Sequence, residues 1–170
     1  MKVSIGSDHH GVLLRQKIVE FVKQLGHDVL NHGPVEENTQ PVDYPNIAIQ
    51  TADDVCTGRA DRGILICGTG IGMCITANKF PGVRAATIMD ELTAEISRRH
   101  NDLNIICLSG DMLSEKTMVR LIEIWLNMPF DGGRHARRLE MISKIEKMIA
   151  EQNDPAQLLN HDSICQNCDV

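Results

Sequence analysis

Short β-branched apolar runs alternate with amphipathic stretches through most of the chain. Lys2–Ser7 (KVSIGS) predicts a strand. Leu14, Ile18, Phe21, Val22 and Leu25 then recur at helical spacing, and Gly26 supplies a stop. Val29–Leu30 opens a second strand, which His32-Gly33-Pro34 breaks. Residues 35–44 read as a polar loop and Ile47–Val55 as a helix. Gly63–Cys67 is a third strand feeding a helix from Ile71 to Lys79, and Val83–Ile88 is a fourth. Asp90 caps a helix running to His100. Asn104–Leu108 is the fifth strand, and Ser114–Leu126 and Arg134–Ala150 are the remaining helices.

Repeated strand–helix units imply right-handed crossovers and a parallel sheet covered on both faces. The expected fold class is therefore α/β: a three-layer, doubly wound sheet of five parallel strands, Rossmann-like. Such sheets bind ligands beyond the carboxyl ends of their strands, so the chemistry-bearing motifs are expected to gather at that edge. Residues 1–150 read as one domain. After residue 150 the composition turns polar, and residues 151–170 are expected to form a tail of low order.

Composition narrows the partners. Net charge is -6, which disfavours a nucleic-acid surface of the usual basic kind. No uninterrupted apolar run is long enough to span a membrane, and the N-terminus lacks a signal pattern, so a cytoplasmic location away from membranes is expected. The six cysteines then read as free thiols. Cys165-x-x-Cys168, with His161 upstream, resembles half of a zinc site. No second CxxC completes four ligands, and no metal is expected.

Four constellations carry chemistry. Ser7-Asp8-His9-His10-Gly11 follows the first strand. It is not a phosphate-cradling Walker loop, because Val12 stands where lysine belongs. Asp8 serves either as a helix cap or as a site residue. Adjacent histidines at a strand end suit an anion.

Cys67-Gly68-Thr69-Gly70-Ile71-Gly72 follows the third strand and opens a helix. Its GxGxG spacing and its place on strand three disfavour a nicotinamide cofactor. The glycines free backbone N–H groups to approach an oxygen at the positive end of a helix, a geometry for stabilising an oxyanion. Cys67 sits just before those amides, where a helix N-terminus favours the thiolate. Met73 occupies the arginine position of a phosphatase Cys-x5-Arg loop, so that chemistry is set aside. Cys74 and Cys107 fall inside apolar runs and read as small buried hydrophobes.

Ser97-Arg98-Arg99-His100-Asn101-Asp102 ends the fourth helix, where His100 as a cationic cap is an ordinary alternative to a functional role. Gly132-Gly133-Arg134-His135-Ala136-Arg137-Arg138 crowds cations at a helix start, where the macrodipole disfavours them. Arg134 and Arg138 share one helix face and suit a phosphate fork, though a solvated basic face remains the alternative.

SDHHG, LICGTGIG, ANK, SRRHND and FDGGRHARR, in this order, resemble ribose-5-phosphate isomerase type B and the galactose-6-phosphate isomerase subunits over roughly residues 1–150. The resemblance implies an aldose–ketose isomerisation with no metal or organic cofactor. It implies Cys67 as the base that moves a proton between the two carbons through an enediolate, with Thr69 assisting at the sugar oxygens. The amides of Gly70, Ile71 and Gly72 would hold the enediolate, and Gly68 in the same loop would line the substrate site. His100 would open the furanose ring, Asp8 and Asn101 would hold hydroxyls, and His9, Arg134 and Arg138 would contact phosphate. Tyr44 would lie near the site. Members are dimers or tetramers whose sites combine two subunits. A weak carbon acid needs a near base and a charge sink, and both converge at Cys67.

One position departs from the pattern. Family members commonly carry arginine after strand five, where this chain has Asp111 in Ser109-Gly110-Asp111-Met112. Either another cation such as Arg137 substitutes, or the substrate differs from ribose 5-phosphate; the rival within the class is an isomerase of a six-carbon sugar phosphate. A non-catalytic sugar-phosphate-binding module is the rival outside the class, and the joint presence of Cys67, Thr69 and His100 argues against it.

Overall fold

Strands form where the apolar runs stand, and the best-buried runs take the middle of the sheet. In the computed structural model, which describes residues 1–35 and 41–151, the strands are β1 (Lys2–Ser7), β2 (Asp28–His32), β3 (Arg62–Cys67), β4 (Ala85–Thr87) and β5 (Ile105–Ser109). They pair in the order β2-β1-β3-β5-β4, all parallel. β1, β3 and β5 are buried along nearly their whole length, as strands covered on both faces must be. The edge strands β2 and β4 are only partly buried. Cys165, Cys168 and His161 lie outside the described residues, as does part of the polar loop before Tyr44.

Five helices belong to the same unit, Met1–Phe130. α1 (Val12–Gln24), α4 (Glu91–Asn101) and α5 (Glu115–Asn127) join one core, with Ile18, Val22, Ala94, Met118, Leu121, Ile122 and Trp125 against Ile5, Ile64, Ile66 and Ile106. α2 (Tyr44–Cys56) and α3 (Ile71–Ala77) join the other, with Ile47, Ala48, Ala52, Met73 and Ala77 against Leu65, Cys67, Ile105 and Cys107. Each large aliphatic side chain so buried contributes roughly 1.5–3 kcal/mol of transfer free energy. The expected three layers are present. A second unit, Asp131–Val170, contains α6 (Arg134–Glu151), which Gly132 and Gly133 precede in left-handed conformation at φ 66 and 56. Among the described residues no helix is long and apolar enough to cross a membrane.

The helix ends follow their side chains. Asp90 accepts from Thr93 N–H and Ser114 from Thr117 N–H, while Gly26 at φ 83 ends α1. The fourth strand is shorter than its apolar run. Val83 N–H is taken by Phe80 O in a turn, and Arg84 N–H by the Asn104 side chain, so regular pairing begins only at Ala85. α3 stops early because Asn78 reaches across to the Ala85 carbonyl at 2.8 Å.

The topology makes a ligand crevice. β2 lies on one side of β1 and β3 on the other, so successive crossovers diverge at the carboxyl ends of β1 and β3. Asp8 N–H donates to Ile66 O there at 3.3 Å, holding the two strand exits together.

Candidate active site

At that crevice the chain leaves β3 through Cys67 and turns sharply into α3. Gly70 makes the turn at φ 78, a left-handed conformation that glycine adopts without steric cost. A Cβ there would also approach the Leu108 backbone at 3.2 Å. The Gly70 N–H donates to Cys67 Sγ at 3.1 Å, and the Ile71 N–H is directed at Thr69 Oγ1 at 3.3 Å. Two of the three amides expected to face an enediolate are thus turned to side chains of their own loop. Cys67 is 5% exposed.

β1 delivers the second group. Its exit forms a short 3-10 turn, His9–Gly11, capped by Asp8, whose carboxylate accepts from His10 N–H at 2.9 Å. Asp8 thus caps the turn and also lines the cavity. Burial raises its pKa, and the His10 amide and neighbouring histidines oppose that rise. His9 Nδ1 accepts from Val42 N–H at 3.3 Å, orienting that ring. Asp8, His9, His10, Pro41, Val42, Asp43, Tyr44, Cys67, Gly68, Thr69 and Gly72 line one cavity of about 330 Å³, a volume suited to a small metabolite. Tyr44 opens α2 and lays its ring over Gly72, where a Cβ would meet Cζ at 2.6 Å.

Asp8, His9, Tyr44, Cys67, Gly68, Thr69 and Gly72 are therefore brought together, with Gly70 and Ile71 in the same turn. His10, which the adjacent histidines mark only as suited to an anion, also lines the cavity, as do Pro41, Val42 and Asp43, which no motif singles out. For His10 the adjacent histidine was the available signal; for Val42 the sequence offers none.

The expectation that all four constellations share one edge is corrected. α4 runs back along the sheet from the carboxyl end of β4, so His100 and Asn101 emerge at the amino edge. Arg84, just before β4, donates to Asn101 O at 3.1 Å and Asp102 O at 2.9 Å, fixing that helix end beside the strand starts. Crossing β3 from Arg62 to Cys67 alone spans about 17 Å. His100 and Asn101 of one chain cannot reach its own Cys67. Arg134 and Arg138 stand one turn apart at the start of α6, both exposed.

The other cysteines are not equivalent. Cys107 is fully buried, and burial pushes its pKa well up. Cys74 is only partly buried, and a hydrogen bond from Cys107 holds its thiol down to about 6 against the effect of burial. Cys74 thus differs from the inert hydrophobe its apolar run suggests.

The sequence of this chain matches the Ribose/Galactose Isomerase family model over residues 3–142. It is 38% identical over 146 residues to ribose-5-phosphate isomerase B of Escherichia coli, covering 86% of this chain and 97% of that protein. Its fold superposes on ribose-5-phosphate isomerase B of Clostridium thermocellum with a TM-score of 0.84 and 42% identity, covering 88% of this chain and 99% of that one. The Mycoplasma genitalium enzyme, solved with bound ribulose 5-phosphate, gives a TM-score of 0.82 and 39% identity, covering 86% and 96%.

Proposed function

The chain belongs to the ribose/galactose isomerase family, and from that membership we propose that it interconverts ribose 5-phosphate and ribulose 5-phosphate through an enediolate, with Cys67 as base. The observation that carries the role of Cys67 is its placement: a buried thiol facing a small cavity, with a glycine amide directed at its sulfur. The base takes the proton from C2 of the aldose and returns it to C1 of the enediolate. C2 is oxidised as C1 is reduced, so the reaction needs no external oxidant or reductant. Thr69 is suited to moving the hydroxyl proton between O1 and O2. Asp8 and Asn101 are proposed to hold hydroxyls, and His100 to open the ring.

The working unit we propose is a homodimer or homotetramer in which a second copy supplies His100 and Asn101 to the Cys67 pocket. Their positions at opposite edges of one sheet support this. So do the apolar side chains left exposed on the helices beside the pocket, Tyr44, Ile49, Ile71 and Ile75. The isomerase domain is taken as residues 1–150, in keeping with the reach of the family model to residue 142.

The deciding assay follows ketose formation from ribose 5-phosphate and from six-carbon aldose phosphates. Turnover of none of them would leave only a binding module. Preference for a six-carbon substrate is the second reading, favoured by the acid at Asp111.

Two predictions concern binding. His9, Arg134 and Arg138 are proposed phosphate contacts. Alanine at Arg134 or Arg138 is expected to raise KM on the order of 30-fold or more, the usual cost of removing one partner from a desolvated charge pair. An unchanged KM in both variants removes α6 from the phosphate site. Gly72→Ala is expected to displace the Tyr44 ring and raise KM by about 3- to 10-fold, with turnover reduced less. Its melting temperature should stay within a few degrees of the parent, because the ring can swing outward.

A further inference from the structure

Two thiols that the proposed isomerisation does not use meet where α3 packs on the sheet. Cys107 lies in the middle of β5, in register with Leu65 on one side and Thr87 on the other, and is fully buried. Cys74 stands on α3, partly buried and packed against the same core, and its sulfur accepts a hydrogen bond from Cys107. When protonated, the Cys74 thiol donates to Ala85 O at 3.4 Å. When ionised, it accepts from Cys107, from Thr87 and, at 3.5 Å, from Asn78 Nδ2. These donors, Cys107 foremost, hold its pKa down to about 6, so at neutral pH it is mostly thiolate. Burial keeps Cys107 protonated.

A partly exposed thiolate bonded to a buried thiol is suited to be an attacking cysteine with its resolving partner in place. We propose that Cys74 and Cys107 form an oxidation site, which hydrogen peroxide closes to a disulfide between α3 and β5. The Cys74 thiolate attacks one peroxide oxygen, the O–O bond breaks, and the departing hydroxide takes a proton from solvent. The Cys107 sulfur then attacks the resulting sulfenic acid. The S–S bond forms as the S–O bond breaks, and the Cys107 proton leaves with the hydroxyl as water. The two thiols together lose two electrons, which the peroxide gains. Contact between the sulfurs offsets the weak nucleophilicity of a protonated Cys107. Bond formation draws them to about 2.0 Å, which pulls α3 toward β5. Cys74 N–H donates to Gly70 O at 3.1 Å, and Gly70 N–H in turn to the Cys67 sulfur, so the pull reaches the base loop. Turnover falls on oxidation and returns on reduction by a small thiol. The oxidation site stands apart from the isomerase reading, whereas its effect on turnover rests on that reading.

The test treats the full chain with hydrogen peroxide, maps disulfides by mass spectrometry and assays ribose 5-phosphate turnover before and after dithiothreitol. The parent is expected to gain a bridge between Cys74 and Cys107 and to recover its thiols on reduction. Its turnover should fall about 10-fold or more while oxidised, since ångström-scale displacement of reacting groups costs at least that much. Cys74→Ser should form no bridge to Cys107 and keep most of its turnover at the same dose. Cys67→Ala should still form the bridge, which separates this site from oxidation of the base. An oxidised parent without the bridge, or with Cys67 bonded to Cys107 instead, overturns the proposal. A bridge that leaves turnover unchanged overturns the coupling to the base loop. The mapping needs no turnover, so a parent inactive on every sugar phosphate defeats the isomerase reading alone. The bridge would still decide the oxidation site.

Discussion

Cys67→Ala is expected to lower turnover of ribose 5-phosphate by about 10²- to 10⁴-fold, the usual contribution of a positioned general base, with substrate affinity within a few-fold of the parent. The asymmetry follows from the proposed chemistry. A base acts on the proton in flight, so its loss falls on the transition state far more than on the bound sugar. The surroundings of Cys67 should survive the change, because alanine keeps the β-carbon in the core face shared with Leu65 and Cys107. Stopped-assay kinetics paired with a direct binding measurement separate the outcomes. Near-parental turnover would remove Cys67 as base. Loss of binding together with turnover would recast it as a packing residue whose main task is to hold Gly70.

Much of this arrangement is legible in the sequence because its causes are local. Asp90 and Ser114 cap the helices that their positions announce, and Gly26 ends the helix it follows. The Cys67–Gly72 turn is readable because glycine at a strand exit has few other physical uses, and Gly70 takes the left-handed conformation only glycine accepts cheaply. What the sequence hides is set by distant partners. Arg84 stands inside the fourth run, but its amide is captured by the Asn104 side chain twenty residues on, so β4 shrinks to three residues. The interaction of His10 with Asp111 joins positions a hundred residues apart. The edge occupied by His100 is hidden for a different reason. A motif near the end of a helix belongs to the amino edge of a parallel sheet, because every crossover helix returns the chain to where the next strand starts. The element order alone carries that rule, whereas the motifs by themselves say nothing of the edge.

The same rule yields the sharpest consequence for the assembly. If Cys67 of one copy works with His100 of another, two inactive variants should repair each other. Cys67→Ala and His100→Asn homo-oligomers are each expected to lose most activity on cyclic ribose 5-phosphate. Co-expressed with different affinity tags and purified as the mixed dimer, they form one site containing both intact residues and one site containing neither. A two-fold symmetric dimer with shared sites should then recover about half the parental turnover. Sites complete within one chain would recover nothing, because each chain carries one lesion. The distinction is internally controlled, since every dimer carries two lesions, one per chain, and only the mixed dimer can gather both into one site. His100→Asn alone should also be nearly competent on a substrate supplied in open-chain form, because ring opening precedes the proton transfer that Cys67 is proposed to perform. Equal losses on cyclic and open-chain substrate would take the ring-opening role from His100. Recovery in the mixed dimer would still place His100 beside the partner's Cys67, in keeping with their opposite edges in one sheet.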